Sequence, residues 1–164
     1  MNDPRALKVS ARGDREIEMT RSFDAPRSLV YDAYTKPELV KRWLLGPPGW
    51  TMPVCDIDLR VGGLFRFVWR NETDGAEMGL GGVYREIVTH ERIVNTEKFD
   101  VAWYPGEAIN TTTFAEHGGR TTLTMTLRYD SPETRDMVLR SPMESGVAAS
   151  FDRLEALLET PGRP

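Results

Sequence analysis

The chain has 164 residues, 40% of them hydrophobic and 28% charged, with a formal net charge of −4 at pH 7. That length suits one domain with a sizeable core, and the acidic balance excludes nucleic acid as the main partner, because phosphate binding needs a basic surface. The single cysteine, Cys55, excludes an internal disulfide and any multi-cysteine metal site, and no apolar run reaches the length of a membrane span.

Residues 1–14 are polar and include Pro4 and Gly13, so a flexible tail is expected, followed by one domain over 15–160. The start has no apolar segment of the secretory kind, which makes the cytoplasm the expected location. Glu16 to Phe23 alternates, with Ile17, Met19 and Phe23 on one side, the pattern of a half-buried strand. Ala25-Pro26 opens a short helix capped by Asp24 or Ala25. Thr35-Lys36-Pro37-Glu38 has the form of a capping box before a second helix carrying Leu39, Val40 and Trp43. The two short helices read as a connection across an end of a sheet.

Gly46-Pro47-Pro48-Gly49-Trp50 is a turn. Strands are expected over Met52–Leu59, Leu64–Arg70, Glu77–Thr89, Arg92–Phe99, Ala108–Glu116 and Thr121–Tyr129, with a bulge or sharp bend at Gly79, Gly81 and Gly82. Asp100–Glu107 is a loop holding Trp103 and Tyr104. A helical piece starts at Ser131-Pro132 and runs to about Arg140. Ser141-Pro142-Met143-Glu144 then restarts the helix as a capping box, and Met143, Val147, Phe151, Leu154 and Leu158 form one apolar face as far as Pro161-Gly162.

The order is α+β: a strand, two short helices, an antiparallel meander and a long C-terminal helix. Phe23-Asp24-Ala25-Pro26 before Val30-Tyr31, Pro37-Glu38 before Lys41-Arg42-Trp43, Asp58-Leu59-Arg60-Val61-Gly62-Gly63, Gly82-Val83-Tyr84-Arg85-Glu86-Ile87 and Asp152-Arg153-Leu154 carry a closer likeness. On these residues the chain resembles the SRPBCC superfamily of START-like and birch-allergen-like domains, and within it the bacterial proteins similar to activators of the heat-shock-protein-90 ATPase. The resemblance covers roughly residues 15–160. It implies a helix-grip fold, a curved antiparallel sheet of six to seven strands wrapped on the long helix. It also implies a deep cavity between the two that holds lipids, polyketides or other apolar molecules.

Glu97 is the sharpest single residue. Lys98 should face out, so Ile93, Asn95, Glu97 and Phe99 should face in, and a carboxyl on a cavity wall has its charged form disfavoured. Such a group can hydrogen-bond a ligand or act as a general acid or base. Trp43, Trp50, Phe67, Trp69, Phe99, Trp103, Tyr104, Phe114, Met125, Val147 and Phe151 are the candidate apolar lining, although aromatics at strand spacing also make plain core. Gly146, Ala148, Ala149 and Ser150 would leave room beside the long helix. His90 and His117 fall in turns without metal-ligand spacing and should be exposed, Asp56 and Asp58 should face solvent, and Cys55 reads as a buried, inert thiol. No metal and no cofactor is implied.

The first functional reading is therefore a module that binds a small, largely apolar ligand without chemistry of its own. The second is an enzyme of cyclase, dehydratase or hydrolase type with Glu97 as acid/base. The third is a chaperone-associated or other protein-binding module using an outer face. A homodimer is compatible with each.

Overall fold

The structure, a computed structural model, describes residues 3–159. The alternating segments form eight strands in one sheet: β1 (Lys8–Arg12), β2 (Glu16–Phe23), β3 (Trp50–Ile57), β4 (Leu64–Asn71), β5 (Glu77–Val88), β6 (Arg92–Phe99), β7 (Ala108–His117) and β8 (Arg120–Arg128). Every neighbouring pair is antiparallel, in the order β1-β2-β8-β7-β6-β5-β4-β3. Since β2 lies near one edge and β3 forms the other, α1 (Arg27–Thr35) and α2 (Pro37–Trp43) carry the chain across the sheet. Two further helices follow the last strand, α3 (Pro132–Arg140) and α4 (Met143–Glu159). This is the helix-grip architecture, with one strand more than the upper end of the expected count.

The extra strand corrects the expected tail. Residues 8–12 pair in register with Arg12↔Glu16 through Lys8↔Thr20. Side-chain alternation could not reveal β1, because four of its five residues are exposed and it is held by backbone pairing instead. Arg135 on α3, itself almost fully buried, locks this hairpin. Its Nη1 donates to the carbonyls of Gly13 at 3.2 Å and Glu16 at 2.8 Å.

Helix starts differ from the sequence expectation too. Pro26, not Asp24 or Ala25, is the N-cap of α1, and no side chain caps it. At the second helix the expected box is not formed. Lys36 occupies the N-cap, and the Thr35 hydroxyl turns back to donate to the Tyr31 carbonyl at 2.9 Å, a bond within α1. Ser141 closes α3 by donating to the Val138 carbonyl at 2.6 Å and accepts only a long 3.4 Å bond from Met143 N–H at the start of α4. The proposed helix stop at Pro161-Gly162 lies outside the described residues.

The bulge in β5 does not fall on its glycines. Gly79, Gly81 and Gly82 are regularly paired with β4, and the register shifts between Tyr84 and Glu86. Gly82 is bare for a different reason: a Cβ there would stand 1.8 Å from the Thr96 carbonyl oxygen.

The core joins the inner face of the sheet to the helices. Phe23, Phe114 and Leu123 from the strands meet Val30, Trp43, Phe151 and Leu154 from the helices, all nearly or fully buried. Burial of such side chains contributes about 1.5–3 kcal/mol each. α4 is tied to the sheet's far side by Arg21 of β2, which donates to Asp152 at 2.8 Å and Glu155 at 2.6 Å. It is tied to the turn before β3 by Arg153, which donates to the Gly46 carbonyl, and by the Ser150 hydroxyl, which accepts from Gly46 N–H, each at 2.8 Å. Ser150 is thus a fastening point as well as part of the wall of the space beside the helix, which Gly146 also borders.

Candidate ligand-binding cavity

The helices do not fill all the space above the sheet. A cavity of 250 Å³ lies between the inner sheet face and the four helices, and a second chamber of 350 Å³ adjoins it toward the Gly46 turn. Tyr34, Trp69, Phe99, Met125 and Val147 border both chambers, so the two share a wall. Walls built from alternate residues of β4, β6 and β8 explain their apolar character, since these strands turn every second side chain inward. Met78 and Trp103 stand at the rim, each 41% exposed, and the exposed Pro47 borders the outer chamber.

Several aromatic walls are held in place by their polar atoms. Trp43 Nε1 donates to the Ala33 carbonyl at 2.8 Å and Trp69 Nε1 to the Leu44 carbonyl at 2.7 Å, so both indoles bury their rings without leaving a donor unpaired. The loop after β6 folds its pair of aromatics over Phe99. Trp103 lies 6.0 Å from Phe99 between ring centres, Tyr104 packs edge-on against Trp103 at 4.9 Å, and Tyr129 packs edge-on against Tyr104 at 5.3 Å.

Glu97 is where the inner cavity becomes polar. It points inward from β6, as the Lys98 alternation required, and borders the cavity. Its accessible surface is intermediate, but protein encloses it on all sides, so that surface faces the cavity. Asn110 of β7 sits diagonally opposite, because Glu97 pairs with Ala108 and Asn95 with Asn110. Its Nδ2 donates to Glu97 Oε2 at 3.1 Å. Burial pushes the Glu97 carboxyl above its ordinary range, and hydrogen bonds from Asn110 and Asn95 offset part of that rise by favouring the charged form. The phenols of Tyr34, Tyr104 and Tyr129 are held protonated, first by desolvation and further by the negative charge of Glu97. Tyr34 donates to the Met125 sulfur at 3.2 Å.

Of the residues expected at the site, Trp43, Phe67, Trp69, Glu97, Phe99, Trp103, Tyr104, Met125 and Val147 border the inner chamber. Trp50 and Phe151 border the outer one. Phe114 does not belong to the cavity. It lies behind the wall, packed edge-on against Tyr31 and Tyr34 at 5.5 Å, as plain core. Among the bordering residues that sequence reasoning passed over are Tyr34, Asn110 and Tyr129. Tyr34 sits on a helix too short for a clear face. Asn110 belongs to a strand so rich in threonine that inward and outward positions hardly differ.

The other singled-out residues take no part in the cavity. Cys55 is half-buried, not fully buried as expected, and that partial burial pushes its thiol up to about 11, which keeps it protonated and unreactive near neutral pH. His90 is not simply an exposed turn residue: it adopts φ +66° and packs edge-on against Tyr31 at 5.2 Å. His117 is exposed, as are Asp56 and Asp58. Among the described residues no three His, Cys, Asp or Glu side chains cluster as metal ligands, and no helix is long and apolar enough to cross a membrane.

A curved sheet gripping a C-terminal helix around an apolar cavity defines a helix-grip domain of the SRPBCC superfamily. Residues 24–159 match the family described as activator of Hsp90 ATPase homolog 1-like protein, and the chain belongs to that family. No curated protein matches it. Among solved structures, a protein from Rhodobacter sphaeroides is 29% identical with a TM-score of 0.87, over 93% of this chain and 97% of the other. Protein CV1439 from Chromobacterium violaceum is 31% identical with a TM-score of 0.74, over 90% and 99%. The AHSA1-like protein from Aeromonas hydrophila shares the fold at 17% identity, with a TM-score of 0.67 over 85% and 92%.

Proposed function

We propose that this protein binds a small, largely apolar molecule in the two-chamber cavity between sheet and helices. The observation that carries this reading is the pair of adjoining chambers: aromatic and methionine side chains line both, with the Glu97 carboxyl and the carboxamides of Asn95 and Asn110 at the inner one. Few polar groups on a mostly apolar wall is the usual construction of a small-molecule site. Met125 and Met143 add walls that adapt to differently shaped guests.

The catalytic reading is weaker. Glu97 could supply a proton, but its direct partner is an amide, and the tyrosines nearby are held in their protonated form. Nothing beside it forms an activated nucleophile. The reading as a protein-docking module has one observation in its favour. Leu64 and Val83, cross-strand partners on β4 and β5, are exposed on the outer side of the sheet.

The test is a titration of isotope-labelled protein with a panel of lipids, polyketides and aromatic hydrocarbons, alongside mass spectrometry of what co-purifies with it. Amide shifts should concentrate at Tyr34, Phe99, Trp103, Met125 and Val147. Shifts confined to the Leu64–Val83 face, or saturable binding by none of the panel, would remove the cavity reading.

A further inference from the structure

One residue that borders the inner chamber, Asn110, carries an unpaired polar atom. Asn110 is 8% exposed, its Nδ2 is spent on Glu97, and its Oδ1 is buried with no hydrogen-bond donor. A buried acceptor without a partner costs free energy comparable to a lost hydrogen bond. The surrounding groups do not relieve it. Asn95 donates to the Thr96 carbonyl at 3.1 Å, and Tyr34 donates to Met125. Among the described residues no lysine, arginine or histidine borders either chamber. An anionic head would meet the Glu97 carboxyl with no cation to balance it, and a cationic head would have to give up its hydration among walls that are mostly apolar. What fits is a neutral group with a hydrogen to give.

We propose that the inner end of the cavity reads a single hydroxyl on a neutral, otherwise apolar guest, an alcohol or a phenol: the hydroxyl hydrogen goes to Asn110 Oδ1, next to the Glu97 carboxyl. This deepens the ligand-binding reading and rests on it. Glu97 and Asn110 are adjacent on one face of β6 and β7, so a single oxygen atom can lie against both. The apolar body then extends past Phe99 and Met125 into the outer chamber, where the Gly46 turn and Trp50 enclose it.

The test uses four probes with one aromatic body: 2-naphthol, 2-methoxynaphthalene, 2-naphthaldehyde and 2-methylnaphthalene, titrated calorimetrically into the full chain. The naphthol should bind about tenfold or more tighter than each of the others, the factor expected for one well-placed buried hydrogen bond. Asn110→Leu should bring the naphthol down to the methylnaphthalene level and leave methylnaphthalene unchanged. If all four bind equally, the cavity holds apolar guests but the hydroxyl is not read, and this inference alone falls. If the ether or the aldehyde matches the naphthol, the polar end serves an acceptor and the assignment of Asn110 Oδ1 is wrong. If none binds, the ligand-binding reading falls with it. The comparison among the probes needs only the unaltered protein, so it stands even where Asn110→Leu folds poorly.

Discussion

Desolvation is the largest influence on Glu97 and links that group to the pH dependence of folding. The groups facing it are Tyr34 from α1, Asn110 from β7, Tyr104 from the loop after β6 and Tyr129 after β8, with Asn95 on its own strand. None is cationic. The folded-state pKa therefore lies above the ordinary 4.5, and the native state holds the proton more tightly than the unfolded chain. Stability from this group is fully present below about pH 4.5, and it is lost as pH rises toward the raised value. Glu97→Gln supplies a neutral side chain of the same shape that still donates and accepts. We expect it to melt higher than the parent at pH 7–8 and to match it near pH 4, with each 1 kcal/mol regained worth about 2–4 °C. Melting curves recorded against pH would show this, and a difference that grows toward acid pH would contradict it. The inward direction of Glu97 was legible because Lys98 beside it fixes the strand's parity. Its partner Asn110 was not, because hydrogen-bond pairing between β6 and β7 depends on register, and threonines on both faces of β7 leave that register unmarked.

At the scale of elements, the junction between β2 and α4 rests on one buried cation. Arg21 is 3% exposed, and its two carboxylate partners reach it from successive turns of the helix, Asp152 from an exposed position and Glu155 from a partly covered one. The two sides of this junction are not equivalent. Removing both carboxylates leaves a charge buried and unpaired, whereas replacing the arginine with an apolar side chain leaves only solvated carboxylates behind. The double change Asp152→Ala with Glu155→Ala should cost about 3 kcal/mol, a fall of roughly 6–12 °C in Tm. Arg21→Met should cost less than half as much. Equal losses from the two variants, measured by thermal unfolding, would mean that the burial of the charge does not matter. Such a junction is invisible to periodicity. The sequence shows that Phe151, Leu154 and Leu158 form a face and that Ile17, Met19 and Phe23 alternate, but Arg21 shares the parity of those inward residues and looks out of place. The same limit applies to β1, where pairing with β2 and the clamp of Arg135 substitute for apolar contrast. Conversely, Thr35 to Glu38 has a capping-box sequence without the contacts, because the preceding helix claims the Thr35 hydroxyl first.

Taken as a whole molecule, the domain leaves space where a folded chain would ordinarily pack. Leaving the inner 250 Å³ unfilled forgoes on the order of 6 kcal/mol at roughly 24 cal/mol per Å³. That sacrifice is understandable when a guest restores the contacts, and it makes binding and stability two readings of one quantity. A guest present at 100 times its Kd should add about 2.7 kcal/mol to stability, which corresponds to about 5–11 °C in Tm. Val147 offers the cleanest way to separate the two effects, since it projects from α4 into both chambers and makes no polar contact there. In Val147→Phe the added ring occupies part of the free volume. The ligand-free protein should gain about 1 kcal/mol, or roughly 2–4 °C, while affinity for 2-naphthol drops at least tenfold and the ligand-induced rise in Tm disappears. Opposite movement of these two measurements is the signature of a cavity kept open for a guest. A variant that melts lower and still binds would show instead that α4 closes over the space in solution and that the guest sits elsewhere.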